Sequence, residues 1–133
     1  MSYQYEMVIK EHHLDSYGHV NNATYLALYE EARWELITGR GYTYQKVHET
    51  GLGPVILEVN LKFQKELTLR ETIKISFELV SYEGKIFKLK QQMIKPDGSI
   101  ASEATFTGGF FDLKARKLIL PNEEWKLAVG LST

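Results

Sequence analysis

The chain has 133 residues, with 16 lysines and arginines against 17 aspartates and glutamates, and it contains no cysteine. This length suits one hydrophobic core, so we expect a single domain over residues 1–133. The balanced charge predicts no nucleic-acid partner, and the missing cysteine excludes a thiol nucleophile, disulfides and thiolate-bound metals. The N-terminus does not resemble a secretory signal, and no apolar run reaches the roughly 18 residues of a membrane span. We therefore expect a cytoplasmic protein without a membrane span.

The predicted elements begin with a strand and a long helix. Weak alternation of apolar residues predicts a first strand over residues 5–9. From Asn22 to about Thr38 the apolar side chains recur at helical spacing, and the glycines that follow at 39 and 41 are typical of a helix end. A shorter polar turn or helix is predicted over residues 44–49.

The second half of the chain has the two-residue periodicity of strands. Alternation predicts a half-buried strand over residues 55–63, and further strands are predicted over residues 72–82, 86–94 and 100–113. The paired glycines Gly108 and Gly109 indicate a bulge or a close backbone approach. A short terminal helix is predicted over residues 123–129. One long helix followed by antiparallel strands predicts an α+β domain in which the sheet wraps the helix.

The segment from His13 to Tyr25 carries the candidate catalytic groups. Asp15 offers a carboxylate for general-base or nucleophilic work, although a loop aspartate also commonly closes a turn or caps a helix. Gly18 permits a φ that other residues resist, or the close approach of a substrate. The first N–H groups of a helix that begins near Asn22 have no intrahelical partner, and they suit a carbonyl oxygen that becomes negative. The pattern indicates an acyl-transfer site.

The string D-x-x-G-H-V-N-N-x-x-Y over residues 15–25 continues into E-E-A-R-W at residues 30–34. It resembles the signature of hot-dog-fold acyl-CoA thioesterases of the 4-hydroxybenzoyl-CoA thioesterase superfamily, nearest to the bacterial long-chain enzymes. The resemblance implies a five- to six-stranded antiparallel sheet wrapped around one long helix. It implies hydrolysis of a medium- to long-chain fatty acyl-CoA in a homodimer or homotetramer, with the site at the seam between two sheets.

The resemblance also implies roles for single residues. Asp15 would be the general base or the nucleophile, and the backbone N–H of Asn22 would be the oxyanion donor. Gly18 and His19 would complete the catalytic set, with His19 mainly a positioning or packing residue. Tyr25 and Asn21 are the expected substrate-binding residues, and either asparagine at the helix start is also expected to cap the helix.

We expect neither a cofactor nor a metal. Water is the nucleophile that is consumed, and a thioester is already activated. His12 and His13 are adjacent and lack the spaced partners that a zinc site requires.

Other assignments stay open at this point. Glu30 and Arg33 stand three apart on the predicted helix, so a salt bridge between them is expected. Some hot-dog thioesterases carry a catalytic glutamate on this helix, so Glu30 is the second candidate carboxylate and Glu58 the third. The alternative functions are an acyl-carrier-protein thioesterase, a dehydratase or hydratase that uses His19 with Asp15, and a non-catalytic acyl-CoA-binding domain.

Overall fold

The computed structural model describes residues 3–131, which contain six strands and three α-helices. In chain order these are β1 (Tyr3–Val8), α1 (Asn22–Gly39), α2 (Tyr44–Thr50), β2 (Leu52–Phe63), β3 (Thr72–Glu83), β4 (Ile86–Ile94), β5 (Ile100–Asp112), β6 (Lys117–Ile119) and α3 (Glu123–Val129). A single 3₁₀ turn, Glu11–His13, joins β1 to the loop before α1.

The strands form one antiparallel sheet in the order β1-β3-β4-β5-β2, with β6 paired to β5. The long helix α1 buries one side in the core together with apolar residues of the sheet. The buried residues of α1 are Tyr25, Leu28, Tyr29, Ala32, Leu36 and Ile37. Their spacing of three and four residues places them on one helix face. The predicted α+β class is confirmed.

Strand β2 lies at an edge of the sheet and exposes most of its apolar side chains. Leu57, Val59 and Phe63 are 54%, 39% and 51% exposed. The strand predicted over residues 55–63 is therefore present, but the burial of its apolar face, predicted from the alternation, is wrong within residues 3–131. Only β5 pairs with β2 within residues 3–131, and a bulge between Ile56 and Glu58 shifts the register of that pairing. A long apolar edge of this kind is a template for pairing with another strand.

The glycine pair in β5 shows both features that the sequence predicts. A Cβ on Gly108 would overlap the Val55 carbonyl oxygen and lie 2.6 Å from the ring of Phe87. A Cβ on Gly109 would lie 2.7 Å from the carbonyl oxygen of Lys85. The bulge of β2 lies opposite this pair. Glycine therefore allows strand β2, the turn before β4 and a core ring to approach β5 at one point.

Gly108→Ala should lower the free energy of unfolding by about 1–3 kcal/mol, because the added methyl overlaps backbone that cannot move freely. Gly39→Ala is the matched control, since a Cβ at Gly39 meets nothing within 4 Å. In that helix the change should be neutral or slightly stabilising. Urea unfolding of both variants measures the difference. A Gly108→Ala midpoint equal to that of the wild type would show that the close approach has no energetic weight.

Candidate active site

The loop before α1 is a short bend that reverses the chain. Leu14 and Val20 form an antiparallel bridge, and the N–H of Asp15 donates to the carbonyl of His19 at 2.8 Å. Gly18 makes the reversal with φ at +80°. A Cβ there would meet nothing within 4 Å, so the positive φ, and not close packing, is the reason for glycine. The bend places Asp15 beside His19 immediately before the helix begins.

One carboxylate oxygen of Asp15 holds this bend together. Oδ1 accepts the N–H of Tyr17 at 2.9 Å and the N–H of His19 at 3.3 Å. The other oxygen, Oδ2, has no hydrogen-bond partner within residues 3–131. The turn-closing role considered for Asp15 is therefore present, and it leaves one oxygen of a half-buried carboxylate available for another interaction.

The start of α1 is capped by Asn21. Its side-chain oxygen accepts the N–H of Ala23 at 2.9 Å, and its carbonyl accepts the N–H of Thr24 at 2.9 Å. The predicted helix cap is confirmed. The backbone N–H of Asn22 has no acceptor in the described part of the chain. That N–H is a donor at the positive end of the helix dipole.

A surface pocket of about 330 Å³ lies beside this helix start, between α1 and the segment that follows β2. Tyr25 and Phe63 form an apolar wall, with their rings edge to face at 4.9 Å. Burial raises the pKa of the Tyr25 phenol. Within residues 3–131 the Tyr25 hydroxyl has no hydrogen-bond partner. Every fully buried side-chain nitrogen or oxygen in that range has one, so this hydroxyl is not fully buried. Because Tyr25 lines the pocket, the hydroxyl is available there.

The predicted site residues fall into two neighbouring groups. His19, Asn22 and Tyr25 line the pocket. The others form the bend and the cap next to it, and these are Asp15, Gly18 and Asn21. The Leu14–Val20 bridge and the Asn21 cap hold the two groups next to each other. Asp15, with its free oxygen, is not part of the pocket lining.

His19 makes a contact that the sequence does not predict. Its Nε2 lies 3.3 Å from Oε1 of Glu66, and both side chains are exposed. The side chain of His19 therefore pairs with Glu66 and not with Asp15, so the histidine–acid pair considered for a dehydratase is not formed. Residues 64–67 form the wall opposite the helix start. These residues carry no motif that would predict a functional site. Their one signal is that they directly follow β2, which ends at the pocket.

The other two candidate carboxylates lie away from this pocket. Glu30 is at the rim of a second cavity farther along α1, and Glu58 is exposed on β2. The predicted Glu30–Arg33 salt bridge is wrong, since no carboxylate oxygen of residues 3–131 lies within 4 Å of the Arg33 guanidinium. Arg33 instead donates to the side-chain oxygen of Gln91 at 3.0 Å. Gln91 is fully buried and needs that partner.

His13 fixes the 3₁₀ turn that precedes the bend. It is buried, and its Nδ1 accepts the N–H of Lys10 at 2.9 Å, which requires an unprotonated ring nitrogen. Burial lowers the pKa of His13, the charges of His12 and Lys10 lower it further, and Glu31 opposes them. The unfolded chain has the ordinary pKa of about 6.5. This histidine therefore contributes stability above about pH 6.5, and the contribution is lost as the pH falls through the lower folded-state pKa.

The melting temperature should fall between pH 7 and pH 5, and it should fall less in His13→Gln, which removes the titrating group. The matched control is His48→Gln, because His48 is exposed. Differential scanning fluorimetry between pH 7 and pH 5 gives the slope of melting temperature against pH for the wild type and the two variants. Equal slopes for the wild type and both variants would contradict the role assigned to His13.

Neither a metal cluster nor a membrane-spanning helix is found among residues 3–131. No three His, Asp or Glu side chains there are placed to hold an ion. No α-helix in the same range is both long and apolar enough to cross a bilayer.

The fold and the site define an α+β protein with a donor at the start of its long helix and a carboxylate in the adjacent bend, an arrangement suited to acyl transfer. The model of the thioesterase-like superfamily matches residues 9–128. The chain belongs to the thioesterase-like superfamily. The hot-dog fold and the family predicted from the sequence are confirmed.

Individual relatives agree with this assignment. Long-chain acyl-CoA thioesterase FadM of Escherichia coli (strain K12) is 30% identical over 118 residues, which cover 87% of this chain and 88% of that protein. Acyl-CoA thioester hydrolase YbgC of Escherichia coli O6:H1 is 23% identical over 90 residues, covering 68% of this chain and 67% of that protein. The crystal structure of YbaW from Escherichia coli matches with a TM-score of 0.82 at 28% identity, and the match covers 96% of each chain.

Proposed function

We propose that this thioester hydrolase cleaves medium- to long-chain fatty acyl-CoA at the pocket beside the start of α1. The observation that carries the proposal is the unpaired N–H of Asn22, a residue that lines this pocket next to the bend that holds Asp15. The names of two relatives, a long-chain acyl-CoA thioesterase and an acyl-CoA thioester hydrolase, support acyl-CoA as the substrate.

The Asn22 N–H is the proposed oxyanion donor. When a nucleophile adds to the thioester carbon, the carbonyl oxygen becomes negative and its hydrogen bonds strengthen. The cap formed by Asn21 fixes the direction of the first helical turn, and the helix dipole adds positive potential there. The donor is therefore oriented before the substrate arrives, and no reorganisation is needed during reaction.

Asp15 is the proposed base or nucleophile. Its Oδ1 is held by two backbone N–H groups, so its orientation is set while Oδ2 remains available. As a base it takes a proton from water while the water oxygen bonds to the acyl carbon, after which the carbon–sulfur bond breaks. As a nucleophile it displaces the thiolate and forms an anhydride that water then cleaves. The departing thiolate takes a proton from solvent and needs little assistance, because thiols are acidic.

The remaining predicted residues support this centre. Gly18 supplies the positive φ of the bend, and His19 is held at the pocket by Glu66. The ring of Tyr25 contributes apolar surface for the acyl group and its hydroxyl contributes a polar contact.

We also propose that the active form is a homodimer joined along β2. The support is the apolar edge strand, whose Leu57 and Val59 are uncovered in the single chain. Antiparallel pairing of two such edges places the start of one β2 against the end of the other. Phe63 lines the pocket and ends β2, so this pocket would adjoin the beginning of the partner's β2.

Thiol release from acyl-CoAs of increasing chain length tests the proposal. A thiol reagent gives no background from the protein, because the chain has no cysteine. Turnover with a preference for medium or long chains is the expected result. Saturable binding without release would instead indicate a non-catalytic acyl-CoA-binding domain. Release only from acyl-carrier-protein thioesters would assign the alternative carrier substrate.

A further inference from the structure

A second cavity of about 230 Å³ lies between the later turns of α1, helix α3 and the sheet. Its walls are largely apolar and include Trp34, Phe77 and Trp125. The polar side chains at this cavity are Glu30 and Arg33, which stand one turn apart on α1. An apolar cavity with a few convergent polar groups is the usual form of a small-molecule site.

Arg33 is held firmly and yet keeps donors free. One guanidinium N–H donates to Gln91 at 3.0 Å, and the guanidinium carbon lies 4.3 Å above the ring of Phe106. Burial lowers the pKa of Arg33 to about 10, and the neighbouring Glu30 opposes that shift. At neutral pH the group is therefore a rigid cation in apolar surroundings.

Two nitrogens of this guanidinium, Nε and Nη2, make no hydrogen bond within residues 3–131 and are not fully buried. A guanidinium has five N–H donors, and within residues 3–131 only the one to Gln91 is used. No buried side-chain nitrogen or oxygen in that range lacks a partner, so the unused nitrogens of Arg33 are not sealed in the core. Since Arg33 lines the cavity, these donors are available to an acceptor inside it.

This cavity lies next to the partner's pocket beside the start of α1 if two chains pair along β2, which is part of the proposed function. Pro54 and Ile56 line it at the beginning of β2, whereas Phe63 lines the catalytic pocket at the end of β2. Antiparallel pairing of two β2 strands brings these two ends together across the dimer. The cavity of one chain then extends the catalytic pocket of its partner.

We propose that Arg33 and Glu30 select a fatty acyl group that carries a hydroxyl. A hydroxyl oxygen can accept from the unused donors of Arg33 while its hydrogen is donated to the Glu30 carboxylate. A carboxylate on the acyl chain would be attracted by Arg33 but repelled by Glu30, whereas a hydroxyl can bind to both groups. A plain hydrocarbon chain would leave the donors of Arg33 without an acceptor in an apolar cavity, which is unfavourable.

Matched substrates test this selection. The set is octanoyl-, decanoyl- and dodecanoyl-CoA, each with its 3-hydroxy, terminal hydroxy and terminal carboxy derivatives. We expect kcat/KM for a hydroxylated member to exceed that of its parent about tenfold, the scale of one hydrogen bond to a charged group. In Arg33→Met, which keeps an apolar stem, this ratio should fall to about one. An unchanged ratio in Arg33→Met, or a preference for the carboxy derivative, would overturn the selection.

The control and the second variant separate selection from folding. Arg116 also lies over an aromatic ring, that of Phe111 at 5.4 Å, but it is exposed, so Arg116→Met should leave the ratio unchanged. Glu30 is exposed, and Glu30→Gln should raise the ratio of carboxy derivative to parent several-fold because the repulsion is removed. An unchanged carboxy ratio would contradict the role of Glu30.

Calorimetric dissociation constants for the same substrate pairs, measured on Asp15→Asn so that the thioesters are not hydrolysed during the titration, give the ratio without turnover. If the protein released thiol from none of these acyl-CoAs, the result would count against the proposed function. Equal affinities for hydroxylated and parent acyl-CoA would count against the selection by Arg33.

Discussion

Asp15→Asn should lower turnover at least about a hundredfold while leaving the fold and the oligomeric state unchanged. Asparagine keeps an oxygen that can accept the N–H groups of Tyr17 and His19, so the bend is preserved. It loses the negative oxygen that would take a proton from water or attack the thioester, and the loss of a general base costs about 10²–10⁴ in rate. Steady-state thiol release measures the effect, and circular dichroism and sedimentation report the fold and the assembly.

The matched control for this variant is Asp97→Asn. Asp97 also closes a turn, since its Oδ1 accepts the N–H of Ser99 at 2.9 Å and the Ser99 hydroxyl at 2.6 Å. It lies in the reversal between β4 and β5, so its replacement should leave turnover unchanged. If Asp15→Asn retained a rate near that of the wild type, Glu30 would become the leading candidate carboxylate. Equal losses in both variants would indicate a general effect on the turns.

The elements of the fold were predictable wherever the periodicity was long. The predicted helix from Asn22 to Thr38 corresponds to Asn22–Gly39, and the strand predicted over residues 86–94 has those same bounds. Strand β6 was not predicted, because three residues are too few for alternation to show. The first strand is observed as Tyr3–Val8 and not residues 5–9, since its weak alternation fixed neither end.

The site was predictable where its contacts are local. The cap by Asn21 and the positive φ of Gly18 depend only on neighbours in the chain, and both follow from residue type. The pairing of His19 with Glu66 and of Arg33 with Gln91 joins distant segments. Such contacts depend on how the sheet packs against α1. The spacing of residues along one segment carries no information about that packing.

The error at β2 has a physical reason of its own. Alternation at Leu57 and Val59 indicates that one strand face is suited to burial, but it does not specify what buries it. Within the described residues 3–131, neither a helix nor another strand covers these side chains. The same pattern therefore fits the proposed pairing of β2 with the β2 of a second copy.

Val59→Lys should convert the protein to a monomer and abolish most of its activity. Val59 lies near the middle of β2 and is 39% exposed, so antiparallel pairing of two β2 strands brings two copies of this position close together. Two lysines facing each other would cost several kcal/mol by like-charge repulsion. Sedimentation velocity measures the assembly, and thiol release at about micromolar enzyme should fall at least about tenfold. Activity per chain should recover as protein concentration rises, because dimerisation follows mass action.

Val80→Lys is the matched control, because it adds the same charge at an exposed valine away from this edge. Val80 is 56% exposed on β3, a strand that pairs with β1 and β4 and not with β2. The variant should stay dimeric and active. A monomeric Val59→Lys with full turnover would show that each chain contains a complete site, and the proposal of a pocket completed across β2 would be lost. A dimeric and inactive Val59→Lys would place the subunit contact elsewhere and assign β2 a role within one chain.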